Sequence, residues 1–296
     1  MSQNVVMLGA GRIGSAIGSQ LSQKGAMIEM WDKDTSLVPN QKPLEEIIPN
    51  ADFLFLCTPS RAFRPAIKGI EGLIKKETIV ISLAKSIEAE SRKTMDELLE
   101  EILPNGQPFV ILAGPLMAEE LSGPGGVAVI AAKEKSTTSR VEELFKDSGI
   151  RTELSSDVHG AALCGVLKNI YAIGLGSVDG IGWGDNLKGW FAGRAICEML
   201  TLIEVLGGKR ETFCGTAGLG DFITTGFSKS SGHRGFGETL ATGATCEMNK
   251  EGCLALPSIL SLLGEKASSF STLKVMERIL IDQENPKKVL DEFLVS

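Results

Sequence analysis

The segment GVLKNIYAIG, residues 165–174, sets a lysine among apolar neighbours. Val166, Leu167, Ile170, Ala172 and Ile173 flank Lys168; on a helix the residues one turn away are Cys164, Gly165, Tyr171 and Ala172. A helix apolar all round is normally buried. A buried ammonium is costly unless a carboxylate pairs with it or its pKa falls. A lysine with a lowered pKa can give and take a proton near neutral pH, which is general acid–base chemistry. The competing reading is a surface lysine whose stem lies along the protein and whose amine stays in water.

Three other stretches carry polar groups inside apolar or glycine-rich surroundings. SLAKSIE (82–88) ends a strand and brings Lys85, which reads either as a ligand contact or as a solvated strand-end charge. LAGPLMAEE spans 112–120, and GTAGLGDFITTGFSKSSGHRGFG spans 215–237. In the latter, Asp221 opens an apolar helix and can serve as an N-cap, a role compatible with a chemical one. At the start of the chain, Gly9, Gly11 and Gly14 form G-x-G-x-x-G between a strand and a helix. The first glycine permits the turn, the second lets backbone approach a pyrophosphate, and the third lets helix pack on strand. The helix N-terminus then offers N–H groups and a positive dipole end to phosphate. Asp32 follows Gly14 by 18 residues, where a carboxylate bonds a ribose diol and repels a 2′-phosphate. NAD(H) is therefore the expected cofactor, with NADP(H) possible because Arg12 and Lys33 lie close by in sequence. The competing reading is a glycine-rich turn beside a solvated aspartate.

These residues need a scaffold, and the pattern of the chain supplies one. Strands are expected at 5–8, 27–31, 52–57, 78–82, 109–113, 127–132 and 150–154, alternating with helices near 12–24, 60–74, 88–103 and 137–148. Apolar strands alternating with helices predict an N-terminal Rossmann-type, doubly wound parallel sheet over residues 1–156. From 157 to 296 strand signals cease. Helices are expected at 158–177, 187–207, 217–228, 251–264, 271–281 and 286–294, an all-helical substrate and catalytic domain. With no flexible linker near 155–160, the two domains are expected to pack directly and leave a ligand cleft.

Composition narrows the function further. The chain of 296 residues has a net charge of −7 and a pI near 5.1, with no basic stripe, which disfavours nucleic acid and anionic membrane. The 34 glycines suggest tight turns. Six cysteines without C-x-x-C spacing are expected to be reduced, buried thiols of a cytoplasmic protein, and two histidines make a metal site unexpected. The N-terminus enters a strand at once, so no signal peptide is expected, and charges break the longest apolar runs, so no membrane span is expected.

Taken in order, the motifs resemble the bacterial-type NAD(P)-dependent glycerol-3-phosphate dehydrogenases over nearly the whole chain. The matches are Thr58-Pro59-Ser60, the S-x-x-K pattern Ser82 to Glu88 with Ser86 for glycine, Leu167-Lys168-Asn169, Asp179 to Asn186, Ala217 to Asp221, and Glu251-Gly252. The resemblance implies that Lys168 takes and returns the hydroxyl proton, with Lys85 and Asp221 as catalytic partners. A second cation at Lys85 would lower Lys168 further, and Asp221 would raise it. It implies substrate contacts from Lys85, Gly114, Asn169, Asp221, Ser231 and His233. It implies dinucleotide contacts from Gly9, Gly11, Arg12, Ile13, Gly14, Asp32, Pro59, Lys85, Ala118, Arg234 and Glu251. A homodimer acting on a small molecule is the expected assembly.

Two departures bear on the substrate. The family's S-G-P-S-[FH]-A-x-E runs here as Ala113-Gly114-Pro115-Leu116-Met117-Ala118-Glu119-Glu120, so a serine becomes Leu116. Its S-R-N-x-x-F-G runs as Ser231-Gly232-His233-Arg234-Gly235-Phe236-Gly237, so the arginine that contacts phosphate becomes Gly232. Losing a guanidinium removes a planar fork suited to phosphate. His233 is a candidate substitute, or a solvated loop histidine. The expectation is hydride transfer at a secondary alcohol or ketone, with glycerol 3-phosphate/dihydroxyacetone phosphate as the default pair. The alternatives are another small polar or anionic hydroxy compound, a non-catalytic dinucleotide-binding regulator, and a β-hydroxyacid dehydrogenase.

Overall fold

The computed structural model describes residues 3–123, 125–244 and 246–296. Its contacts divide the chain into two compact units: residues 1–84 with 93–162, and residues 85–92 with 163–296.

The first unit holds one seven-stranded sheet in the order β2-β1-β3-β4-β5-β6-β7. The strands are β1 (Asn4–Leu8), β2 (Met27–Trp31), β3 (Phe53–Leu56), β4 (Ile79–Ser82), β5 (Phe109–Ala113), β6 (Gly126–Ala131) and β7 (Ile150–Ser155). Helices α1 (Arg12–Gln23), α2 (Leu44–Ile47), α3 (Ser60–Lys68), α4 (Met95–Ile102) and α5 (Lys135–Phe145) belong with it. Strands β3 and β4 are buried at every position, as strands covered on both faces must be. Phe53, Phe55, Ile79, Ile81, Val110 and Leu112 share one core with Ile17, Leu21 and Phe145. Each such side chain contributes about 1.5–3 kcal/mol by leaving water.

The sheet is not wholly parallel as expected, because β5 and β6 are antiparallel. A parallel pair needs a crossover, usually helical, and the described residues between 113 and 126 contain no helix. The helix expected at 88–103 starts only at Met95. Arg92 has φ 59°, which interrupts any helix, and the Thr94–Glu97 capping box then opens α4.

The second unit is helical: the greater part of α6 (Val158–Gly180), then α7 (Gly184–Val205), α8 (Arg210–Cys214), α9 (Asp221–Phe227), α10 (Gly232–Ala241), α11 (Glu251–Leu263), α12 (Ser271–Leu280) and α13 (Pro286–Leu294). α6 is long and apolar enough to cross a membrane, but its apolar body is buried inside the protein and only residues at its ends reach the surface. Sequence reading did not anticipate α10, whose glycine content masks its helical period. Those glycines are packing positions: a Cβ at Gly237 would lie 2.0 Å from the Ile173 carbonyl, and one at Gly176 would lie 1.9 Å from the Arg234 carbonyl. α10 therefore lies backbone to backbone on α6. The start of α11 does the same, with a Cβ at Gly252 falling 2.7 Å from the Asn169 carbonyl. Two helix N-termini are thus brought onto α6 beside Lys168.

All six cysteines are free thiols. The expectation that all are buried holds only at Cys164 and Cys253: Cys57 and Cys246 are half-buried, and Cys197 and Cys214 are exposed.

Candidate active site

Lys168 lies inside the apolar body of α6 and is only 6% exposed. Its ammonium donates to Asp221 Oδ1 at 3.1 Å and to Thr225 Oγ1 at 2.7 Å. Lys85 Nζ donates to the other oxygen, Asp221 Oδ2, at 2.6 Å. One carboxylate thus serves two cations. Burial pushes the Lys168 amine down, Asp221 pulls it up and Lys85 pushes it down again, leaving it at about 8. Burial alone would raise the Asp221 carboxyl, but the Lys168 and Lys85 charges outweigh it and hold it below the usual carboxylate range.

Local structure explains why these groups meet. Residues 216–220 form one π-helical turn that runs into α9, and a Cβ at Gly218 would lie 2.3 Å from the Phe213 carbonyl. Such irregular turns recur at functional sites. The turn begins α9 at Asp221, and Thr225, one helical turn on, shares the same face. Lys85 is placed by Gly165, whose lack of a side chain leaves room for the lysine stem: a Cβ there would lie 2.9 Å from Lys85 Cγ. Asn169 Nδ2 donates to the Lys85 carbonyl at 3.2 Å, which fixes the amide, while its Oδ1 is buried with no partner. That oxygen awaits a donor. Thr225 escaped the sequence reading. Its signal was its position four residues after Asp221.

Around this centre, Ser231 N-caps α10, its Oγ accepting from Arg234 N at 3.2 Å. His233 is in the first turn of α10 rather than in a solvated loop, and its Nε2 is buried without a partner. Burial, then the positive charges of Lys168, Lys250 and Lys85, push its pKa down to about 3, so the ring is neutral at pH 7. Arg234 donates to Asp179 Oδ2 at 2.7 Å and to Glu238 Oε1 at 2.7 Å. Lys188 also donates to Asp179 Oδ2, at 2.7 Å. Asp179 was noted in the sequence only as the start of a motif, and its pairing with Arg234, like that of Glu238, went unread. Glu251 is the first residue of α11.

The remaining expected residues lie in the sheet unit. Gly9 has φ 105°, and a Cβ there would fall 2.7 Å from the Cys57 carbonyl. A Cβ at Gly14 would fall 2.2 Å from the Gly9 carbonyl, whereas one at Gly11 meets nothing within 4 Å. The first and third glycines are required by the protein's own packing. The second leaves open space at the N-terminus of α1, which has no side-chain cap. That is the cradle a pyrophosphate fits. Asp32 Oδ2 accepts from Ala10 N at 2.7 Å, tying the carboxylate to the loop, and Oδ1 accepts from Asp34 N at 2.9 Å. Ile13 packs on the sheet core, and Arg12 is ion-paired with Glu119. Pro59 precedes α3, and Ala118 lies in a half-buried turn. Gly114 has φ 97° and meets the Val127 carbonyl, a backbone requirement of its own. Leu116 packs against the core of the sheet unit.

Family models match two long stretches of the chain. The C-terminal model of NAD-dependent glycerol-3-phosphate dehydrogenase covers residues 157–291, and the N-terminal model covers residues 36–139. The chain belongs to this family. A glycerol-3-phosphate dehydrogenase [NAD(P)+] of Clostridium perfringens is 32% identical over 266 residues, covering 82% of this chain and 80% of that protein. One from Clostridium tetani is 30% identical over 99% of this chain and 92% of its own length. The crystal structure of glycerol-3-phosphate dehydrogenase from Coxiella burnetii superposes with a TM-score of 0.88 at 25% identity, covering 100% of this chain and 99% of that one. Glycerol-3-phosphate dehydrogenases are oxidoreductases acting on a CH–OH group with NAD(P), and the Lys85–Asp221–Lys168–Thr225 cluster of this chain holds a buried amine whose pKa is lowered.

Proposed function

We propose that the chain interconverts glycerol 3-phosphate and dihydroxyacetone phosphate with NAD(H), and that Lys168 is the proton donor and acceptor. The observation that carries this reading is the desolvated amine, lowered to about 8 and held between Asp221 and Thr225. Oxidation takes a hydride from the carbinol carbon and a proton from its hydroxyl. The open space at Gly11 and the uncapped start of α1 fit a dinucleotide, with the turn that Gly9 and Gly14 shape receiving the pyrophosphate at Gly11 and Asp32 holding the ribose diol. When bound, the nicotinamide supplies the redox half of the reaction.

The side chains divide the rest of the work. Protonated, Lys168 gives its proton to the ketone oxygen; as the free amine it takes the proton back from the alcohol. Asp221 stabilises the ammonium form and fixes the nitrogen. Burial keeps Lys168 below an ordinary lysine pKa, and Lys85, which shares that carboxylate, lowers it further. Asn169 Oδ1 accepts a hydrogen bond from a substrate hydroxyl.

We further propose that the sheet unit holds the cofactor and the helical unit the substrate, in a cytoplasmic homodimer; the six free thiols favour a reducing compartment. A second reading, a different small hydroxy compound, is favoured by Gly232, where the family pattern has a phosphate-binding arginine. The two separate when NADH oxidation is followed with dihydroxyacetone phosphate and with unphosphorylated ketones. The first predicts preference for the phosphorylated ketone. Preference for an unphosphorylated one establishes the second, and no turnover despite bound NADH leaves only a dinucleotide-binding regulator.

A further inference from the structure

Position 232 has no side chain, yet the space beside it contains a cation. A Cβ built on Gly232 would have Lys250 Nζ 3.9 Å away, with no other neighbouring atom closer than 4 Å. Lys250 immediately precedes α11, and the Gly252–Asn169 contact anchors that helix start on α6 next to Lys168. Among the described residues the Lys250 ammonium makes no hydrogen bond or ion pair, while the nearby Lys85 and Lys168 both engage Asp221.

The first turn of α10 faces the same need for a partner. Ser231 Oγ takes the Arg234 N–H and the Ser231 carbonyl takes the Gly235 N–H. The N–H groups of Gly232 and His233 have no acceptor among the described residues. His233 Nε2 is buried and unpartnered. An ammonium, two backbone N–H groups at the positive end of a ten-residue helix and one imidazole nitrogen together suit a tetrahedral oxyanion. Glycine at the first helical position leaves those N–H groups uncovered.

We infer that Lys250 is the specificity-determining cation of this chain, capturing the substrate's phosphate beside the first turn of α10, where Gly232 supplies no side chain. The inference rests on the proposed substrate and deepens it, since Lys250 turns the apparent loss at Gly232 into a relocation of charge. An ammonium is a point charge without the planar fork of a guanidinium, so it holds phosphate with less geometric selectivity than an arginine would.

The test compares kcat/KM for dihydroxyacetone phosphate and dihydroxyacetone in the wild type and in Lys250→Ala. The inference predicts that the ratio falls about tenfold or more, carried by KM for the phosphorylated ketone, as expected for loss of a charged hydrogen bond to a dianion. Lys250→Arg keeps the ratio, and Gly232→Arg in the Lys250→Ala background restores it. A ratio unchanged in Lys250→Ala, or a double variant that stays at the Lys250→Ala level, overturns the inference. A wild type that ignores dihydroxyacetone phosphate refutes the proposed function instead. The subsite is then read separately, by the thermal shift that inorganic phosphate causes in the NADH-loaded protein. A shift lost in Lys250→Ala supports the site, and equal shifts in both proteins refute it.

Discussion

The two ends of the helical unit's polar patch are built on opposite rules. At Asp221 every charge is met: Lys168, Lys85 and Thr225 all converge on or around one carboxylate. At Gly232 the groups are left open, with two N–H groups, the His233 Nε2 and the Lys250 ammonium lacking partners among the described residues. A closed network preorganises a proton donor at a fixed pKa, whatever the rest of the ligand. An open set of donors selects what completes it. On the proposed function, the chemistry of this chain is fixed at one end, while its substrate choice is decided at the other.

The comparison breaks most visibly at Lys168. Lys168→Ala should lower kcat about 10²–10⁴-fold, the span of general acid–base catalysis, while NADH affinity measured by fluorescence titration stays the same. An equal fall in NADH affinity would mean that the amine supports the fold rather than the reaction. Next in size is Asp221→Asn. Removing one partner of a buried ion pair is strongly destabilising, and here two ammonium groups would face each other. We expect kcat to fall about 10²-fold and the Lys168 pKa to drop below about 8, visible as a downward move of the pH break in ketone reduction. The smallest effect belongs to Thr225→Val, which keeps the shape and removes one hydrogen bond to Lys168. About 1 kcal/mol, or several-fold in kcat, is expected, with no change in the KM ratio of phosphorylated to unphosphorylated ketone. A change in that ratio would mean that the two ends are not separate.

Much of this was legible in the sequence, for reasons that differ by residue. Strands β1 to β7 stand close to their expected places because apolar runs bounded by turn residues leave few alternatives. Gly9 and Gly14 were legible because only glycine fits beside the Cys57 and Gly9 carbonyls. Lys168 betrayed itself by its apolar neighbours. The antiparallel β6 was not legible, since an apolar run does not encode its direction. α10 was hidden because its glycines serve contacts with α6 that no local pattern reveals. Lys250 acts only once the fold has brought α10 and α11 onto α6, so no spacing along the chain could mark it, whereas Thr225 was marked only by its place one helical turn after Asp221. His233 stayed open between a substrate contact and a solvated loop residue for the same reason as Lys250, since what buries its Nε2 comes with the fold.

The central claim is that one desolvated amine carries the proton, and the pH dependence of the reaction in both directions tests it most directly. A lysine lowered to about 8 is protonated below that pH and free above it. Ketone reduction, which needs the ammonium, should hold steady below about pH 8 and fall above it, while alcohol oxidation, which needs the free amine, should rise to about pH 8 and then level off. In Lys168→Arg neither break should remain. Rates that pass level through pH 8 in both directions, or a break only near the ordinary lysine value of about 10.4, would contradict the account.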